Sequence, residues 1–216
     1  MKKITVFAAI AFVSVASNAT EIIRGQLGGR DNSGKEFRII AKKPEHYNRK
    51  PLEPAIVSVR NDKDNLYLSL SMKDNDTLSE AKKDQDALRN QGDALQIFLK
   101  SEKETYLWEF QVNPFGRKSC FFHPGAGRMF YPEPGSKFPD FTVENQLGNG
   151  KWDVYIAIPA AIFREKGFKF TNDEKWTIMV VRHNFSRFHN EREISSYPQA
   201  LANVAYPEYF AELILK

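Results

Sequence analysis

Alternation of apolar and polar side chains is the feature that most limits what this chain can become. Leu66, Leu68, Leu70 and Met72 share one face of a stretch whose other face carries Tyr67, Ser69 and Ser71. Successive strand side chains point to opposite faces, so this pattern suits a strand with one side buried and not the apolar stripe of a helix. The alternation recurs where Leu95, Ile97 and Leu99 interleave with Gln96 and Phe98, and where Tyr106, Trp108, Phe110 and Val112 interleave with Leu107, Glu109 and Gln111. It returns in Trp152, Val154, Ile156 and Ile158, and again in Trp176, Ile178 and Val180. Weaker strand-like runs occupy 22–27, 37–41 and 55–60, and the chain closes on another at 210–215. Turn-forming clusters at 61–65, 113–116 and 148–150 separate these runs, and only 79–90 and 159–166 have room for short helices. The pattern predicts an all-β, antiparallel β-sandwich, immunoglobulin-like or jelly-roll-like, with few short helices.

The first residues follow a different logic. Lys2 and Lys3 precede an apolar run over 4–15 that ends in Ser17-Asn18-Ala19. This reads as a secretory signal peptide spanning 1–19, cleaved before Thr20 and too short for a transmembrane span. The expected location is therefore periplasmic or secreted, with 20–216 forming a single domain. Cleavage there removes two of the 31 basic side chains and none of the 27 acidic ones, halving the formal net charge of +4. So small an excess argues against nucleic acid as the partner. A single cysteine excludes an internal disulfide framework, a Cys-rich zinc site and a c-type haem motif. No later stretch reaches the roughly 18 apolar residues of a membrane helix.

The connection over 123–140 is long for a compact domain and carries four prolines together with Arg128, Phe130, Tyr131 and Lys137. Long loops are commonly functional. Phe130 and Tyr131 suit either a ligand wall or aromatic pins that fix the loop to the sandwich.

Several segments, in order, resemble a known family. They are Asp62–Leu70 with Asp74-Asn75-Asp76, then Gly92-Asp93-Ala94-Leu95-Gln96-Ile97-Phe98-Leu99, then Tyr106 to Phe110-Gln111-Val112-Asn113-Pro114-Phe115-Gly116. Trp152 with Ile156-Ala157-Ile158-Pro159, Arg182-His183-Asn184-Phe185-Ser186-Arg187 and Pro207-Glu208-Tyr209-Phe210-Ala211-Glu212-Leu213 complete the series. Over roughly 55–216 the chain resembles the family 9 carbohydrate-binding modules; residues 20–54 are expected to add strands to the same sandwich. The resemblance implies a non-catalytic module that binds a glycan or oligosaccharide between aromatic rings and planar polar groups, alongside a partner glycoside hydrolase. By position the family's strand carboxylate falls at Gln96, and its polar sugar contacts fall at Arg117 and Asn184. One clamp aromatic falls near Asn90 and is missing, and Tyr197 is the candidate for the other. The predicted ligand-binding set is Gln96, Arg117, Phe130, Tyr131, Asn184, Arg187 and Tyr197. Arg117 reads equally as a turn arginine, and Asn184 as a strand-end hydrogen-bonding residue.

Other chemistries compete with this one. The clustered carboxylates, Asp74 and Asp76 above all, are hard oxygen donors suited to calcium, and the resemblance allows a structural calcium ion. The EF-hand spacing is absent. Related sandwiches include b-type haem domains, for which Met72 and His183 are the conceivable ligands. A glycosidase needs two carboxylates about 5–10 Å apart, and no motif pairs any of Glu109, Asp153, Glu191 and Glu193. Cys120 sits in an apolar run three residues from His123, a spacing that turns two strand side chains to opposite faces.

Overall fold

The computed structural model describes residues 21–24, 34–123, 140–188 and 192–216. Thirteen strands among them form two sheets. The larger sheet runs β1 (Ile22–Arg24), β13 (Ala211–Ile214), β11 (Trp176–Asn184), β6 (Ala94–Ser101), β7 (Leu107–Val112) and β8 (Lys118–His123). β12 (Glu193–Tyr197) joins the later half of β11 and is itself extended by β3 (Arg38–Ile39). The smaller sheet has the order β2 (Lys35–Glu36), β4 (Ala55–Asn61), β5 (Asn65–Lys73), β10 (Lys151–Pro159) and β9 (Thr142–Gly148). All pairings are antiparallel except that of β1 with β13. The architecture is the expected all-β sandwich, and the short strands within 21–54 add to both of its sheets.

The alternating residues behave as a two-faced strand requires. Leu66, Leu68, Leu70 and Met72 from one sheet meet Leu95, Ile97, Leu99, Trp108 and Phe110 from the other in a single interior cluster. All three tryptophans are buried there. Trp108 and Trp176 pack edge-on against Phe163 and Phe168, and α1 (Ala161–Arg164) inserts Ile162 and Phe163 into the same cluster. β9 shows no sequence alternation because it is an edge strand whose side chains are largely exposed. Of the two predicted helical stretches, one holds α1 and the other only a 3-10 turn at Leu88–Asn90.

A buried ionic network links the two sheets at one end. Arg182, on the inward face of β11, donates to the carbonyl oxygens of Glu53 (2.9 Å) and Lys73 (2.7 Å). It also reaches Asp74 Oδ2 at 3.4 Å and Asn184 Oδ1 at 3.0 Å. Glu53 accepts from Asn184 Nδ2 (2.8 Å) and from both nitrogens of Asn75. Burial pushes Asp74 up in spite of Arg182, and pushes Asp93 up to about 7. Removing one member of a buried charge network strands its partners without water, at a cost of about 3–5 kcal/mol. Arg182→Ala is therefore expected to lower unfolding free energy by about that amount in urea denaturation. A loss below about 1 kcal/mol would show that the network does not hold the sheets together.

Candidate functional site

The outer face of the larger sheet carries a cleft of about 1100 Å³. Strand parity selects its floor. Leu95, Ile97, Trp108, Phe110 and Val180 point inward, so Gln96 and Phe98 on β6, Glu109 on β7, His123 on β8 and His183 on β11 point out into the cleft. One wall is the segment after β3, with Lys42, Lys43, His46, Arg49 and Leu52; the other carries Arg89, Phe188 and Arg192.

Glu109 organises the floor. Its Oε1 accepts from Gln96 Nε2 (2.5 Å), Arg89 Nη1 (3.2 Å) and Gln111 Nε2, and its Oε2 from His123 Nε2 (2.7 Å). Burial pushes the carboxyl up, but the His123 hydrogen bond, the Arg89 charge and the two amides outweigh it and hold Glu109 below the ordinary glutamate range. An ionised carboxylate only accepts, so Gln96 must turn its amide nitrogen toward Glu109 and its Oε1 toward His183, 2.9 Å from Nε2. His183 Nε2 is then the donor, and its buried Nδ1 lone pair has no partner among the described residues.

Burial, reinforced by the Arg192 and Arg89 charges, lowers His183 to about 3. The folded protein thus keeps this ring neutral at pH values where the unfolded chain, near 6.5, takes a proton. Stability from this group is complete above about pH 6.5 and declines as pH falls toward 3, by a few kcal/mol in all. His183→Gln keeps a donor toward Gln96 and removes the titration. Unfolding free energies measured from pH 7 to pH 4 are expected to fall less steeply for the variant than for the wild type, and parallel curves would contradict the neutral ring.

Acidic side chains fix the loop that brings Phe188 to the cleft. Asp76 accepts from Ser186 Oγ (2.6 Å) and the Arg187 backbone N–H (2.8 Å), and Ser186 Oγ in turn accepts from the Phe188 N–H (3.1 Å). Asp93 accepts from the N–H groups of Leu78 (2.5 Å) and Phe185 (2.7 Å). Gly92 permits this approach, since its φ is +128° and a Cβ there would collide with the Leu78 carbonyl oxygen. Phe188 is 72% exposed, the most open of the large apolar side chains among the described residues. Beside it, the Arg192 guanidinium lies 5.2 Å from the Phe185 ring centroid and donates to the Arg89 carbonyl oxygen (3.1 Å).

Of the residues predicted from the sequence, Gln96 is in the cleft. Arg117 is exposed at the β7–β8 turn and lies outside the cleft lining. Asn184 is inside the sandwich, bound to Glu53 and Arg182, and Tyr197 belongs to the interior cluster. Arg187 points out from the loop with its Nε 3.3 Å from Asp76. Phe130 and Tyr131 lie outside the described residues, as does the stretch 1–19 expected to be a signal peptide. The structure therefore does not assemble the predicted set around Gln96. It supplies Glu109, His183, His123, Arg89, Arg192 and Phe188 instead, and the outward parity of the first three was readable in the sequence.

The donor set at Asp74 and Asp76 does not fit calcium. Asp74 pairs with Arg182, both Asp76 oxygens bind protein donors, and no group of three His, Cys, Asp or Glu among the described residues is arranged around a metal position. A haem ligated by Met72 and His183 does not fit either, because Met72 is buried in the interior and His183 faces the outer cleft. Cys120 is buried in the core on the face opposite His123, and burial pushes its thiol up to about 12.

A scan against protein-family models finds no match for the sequence, and a search of curated proteins finds none. Solved structures do match. A proposed carbohydrate-binding protein from Bacteroides uniformis superposes with a TM-score of 0.66 at 12% identity, over 91% of this chain and 98% of that one. A family 9 carbohydrate-binding module from Caldicellulosiruptor kristjanssonii in complex with glucose gives 0.59 at 16% identity, covering 91% and 92%. The same organism's family 9 module in complex with cellotriose gives 0.57 at 15%, covering 91% and 90%. The chain has the sandwich fold of the family 9 carbohydrate-binding modules.

Proposed function

We propose that this protein is an exported, non-catalytic carbohydrate-binding protein whose sugar site is the cleft on the outer face of the larger sheet. The observation that carries this reading is the fixed polar floor. Gln96, at the strand position where the resemblance places a sugar-binding group, is locked between Glu109 and His183. Sugar recognition asks for planar polar groups with set directions and a ring face beside them. Glu109, Gln96 and Arg89 supply the first, and Phe188 supplies the second.

The two carboxylates that line the cleft among the described residues support binding over hydrolysis. Glu109 is held below its ordinary pKa, the wrong direction for a general acid. Glu193 is occupied by the backbone N–H groups of Leu52 (2.9 Å) and Glu53 (3.5 Å). Catalysis belongs, on this reading, to a partner glycoside hydrolase. Export rests on Lys2, Lys3 and the apolar run that follows them.

Calorimetric titration of the protein beginning at Thr20 with gluco-oligosaccharides and a wider glycan set tests the site. Phe188→Ala is expected to weaken binding about threefold to tenfold, the loss of one stacking ring. Gln96→Ala, which leaves His183 and Glu109 each short of a partner, is expected to cost about tenfold or more. Unchanged affinity in both variants would place the sugar elsewhere, and release of reducing sugar would overturn the non-catalytic reading.

A further inference from the structure

The walls of this cleft carry much more positive than negative charge. Among the described residues, Lys42, Lys43, Arg49, Arg89 and Arg192 line it, against two carboxylates, Glu109 and Glu193. Both carboxylates are already engaged with protein donors, as described above. Of the five cations only Arg89 has a carboxylate within ion-pair distance, Glu109. Lys42, Lys43, Arg49 and Arg192 have none among the described residues.

Some other surface cations meet acids: Arg38 and Lys50 share Glu36, Lys118 binds Asp140, Lys151 pairs with Asp153 and Lys175 with Glu102. What sets the cleft apart is that several cations line one concavity. The chain as a whole carries only +4. A concave site bordered by unpaired cations focuses a positive potential on whatever enters it. Like charges brought together cost free energy that an anionic ligand would relieve. The Arg192 guanidinium donates to the Arg89 carbonyl oxygen and has no carboxylate within ion-pair distance among the described residues, and burial together with the Arg89 charge lowers its pKa. Guanidinium groups match carboxylate and sulfate oxygens in pairs. A neutral sugar would accept hydrogen bonds from these groups but would leave their excess charge uncompensated.

We propose that the ligand of the cleft is an acidic glycan, a sugar chain bearing carboxylate or sulfate groups. The polar floor around Gln96 and Glu109 would orient a ring, and Arg192, Lys42 and Lys43 would bind the anionic substituents at the mouth. This inference rests on the cleft being a sugar site.

The test compares hexasaccharides of equal length: neutral cellohexaose, a galacturonic acid hexamer carrying carboxylates alone, and a chondroitin sulfate hexasaccharide carrying sulfate as well. A single-stranded oligonucleotide of similar charge serves as the non-sugar polyanion. At least one acidic hexasaccharide is expected to bind roughly tenfold or more tightly than cellohexaose, and which one binds identifies the substituent. Raising salt from about 20 to about 300 mM, which shortens the Debye length several-fold, is expected to remove most of that difference. Arg192→Gln and the Lys42→Gln/Lys43→Gln pair, exposed positions whose folding is checked by thermal melting, should each lower acidic-glycan affinity about threefold to tenfold.

Cellohexaose binding as tightly as both acidic chains would overturn the acidic preference while leaving the sugar site intact. No binding of any hexasaccharide would overturn the sugar site and this inference together. An oligonucleotide as tight as the best acidic glycan would reassign the cleft to a general polyanion. An acidic preference untouched by the charge variants would remove these residues as its cause.

Discussion

The rest of the structure depends on Arg182 reaching through the interior from one sheet to the other. Its guanidinium binds carbonyl oxygens at Glu53, just before β4, and at Lys73, the end of β5, so one side chain of β11 fixes the spacing of the sandwich at that end. A buried cation is costly to desolvate, which accounts for the company it keeps: Asp74, Glu53 and Asn184 all point at it or at one another. Two carboxylates, Glu53 and Asp74, lie within ion-pair distance of this one guanidinium, and burial pushes Asp74 up in spite of it.

The same strand carries both the tether and the site. Arg182 faces inward, and His183, one residue on, faces the cleft, where it holds Gln96. Whatever fixes β11 against the smaller sheet therefore also fixes the floor. The loop that follows β11 is tied down by Asp76 and Asp93, so Phe188 stands at the cleft on a segment held by charge-assisted hydrogen bonds at 186 and 187 and at 185. Asp76, which looks like a metal ligand in the sequence, serves instead as an anchor for the Ser186 hydroxyl and the Arg187 N–H.

Strand parity made much of this legible and also explains the main misreading. In β11 the core side chains Trp176, Ile178 and Val180 are even-numbered, so Arg182 and Asn184 must point inward with them. In β6 the core side chains Leu95, Ile97 and Leu99 are odd-numbered, so Gln96 must point outward. Asn184 and Gln96 thus lie on opposite sides of the same sheet and cannot meet one ligand, although each matches a family position. The rule that turns Asn184 away from the cleft also finds His183 and Glu109. Arg89, Phe188, Arg192 and the lysines at 42 and 43 carry no such signal, because they sit in turns and connections where no period exists. Their approach to one cleft is set by long-range pairing, β12 with β11 and β3 with β12, that no local pattern encodes.

The aromatic residues decide what kind of recognition remains open to the cleft. All three tryptophans are buried in the interior, Trp108 and Trp176 among the rings of α1 and the segment after it, and among the described residues the cleft has Phe188 at its wall and Phe98 in its floor. Phe98 is itself covered by Phe210, with ring centroids 5.9 Å apart, so it offers little free face. A single exposed phenylalanine has no polar edge and a smaller face than a tryptophan, and one stacking contact adds only about 0.5–1.5 kcal/mol beyond its buried area. Binding energy in such a site must come chiefly from directed hydrogen bonds and charge. The locked Glu109–Gln96–His183 chain supplies direction without the entropy cost of ordering those side chains on binding. The unpaired cations at the mouth supply charge, and a ligand that exploits both needs hydroxyl groups on its ring and anions along its chain.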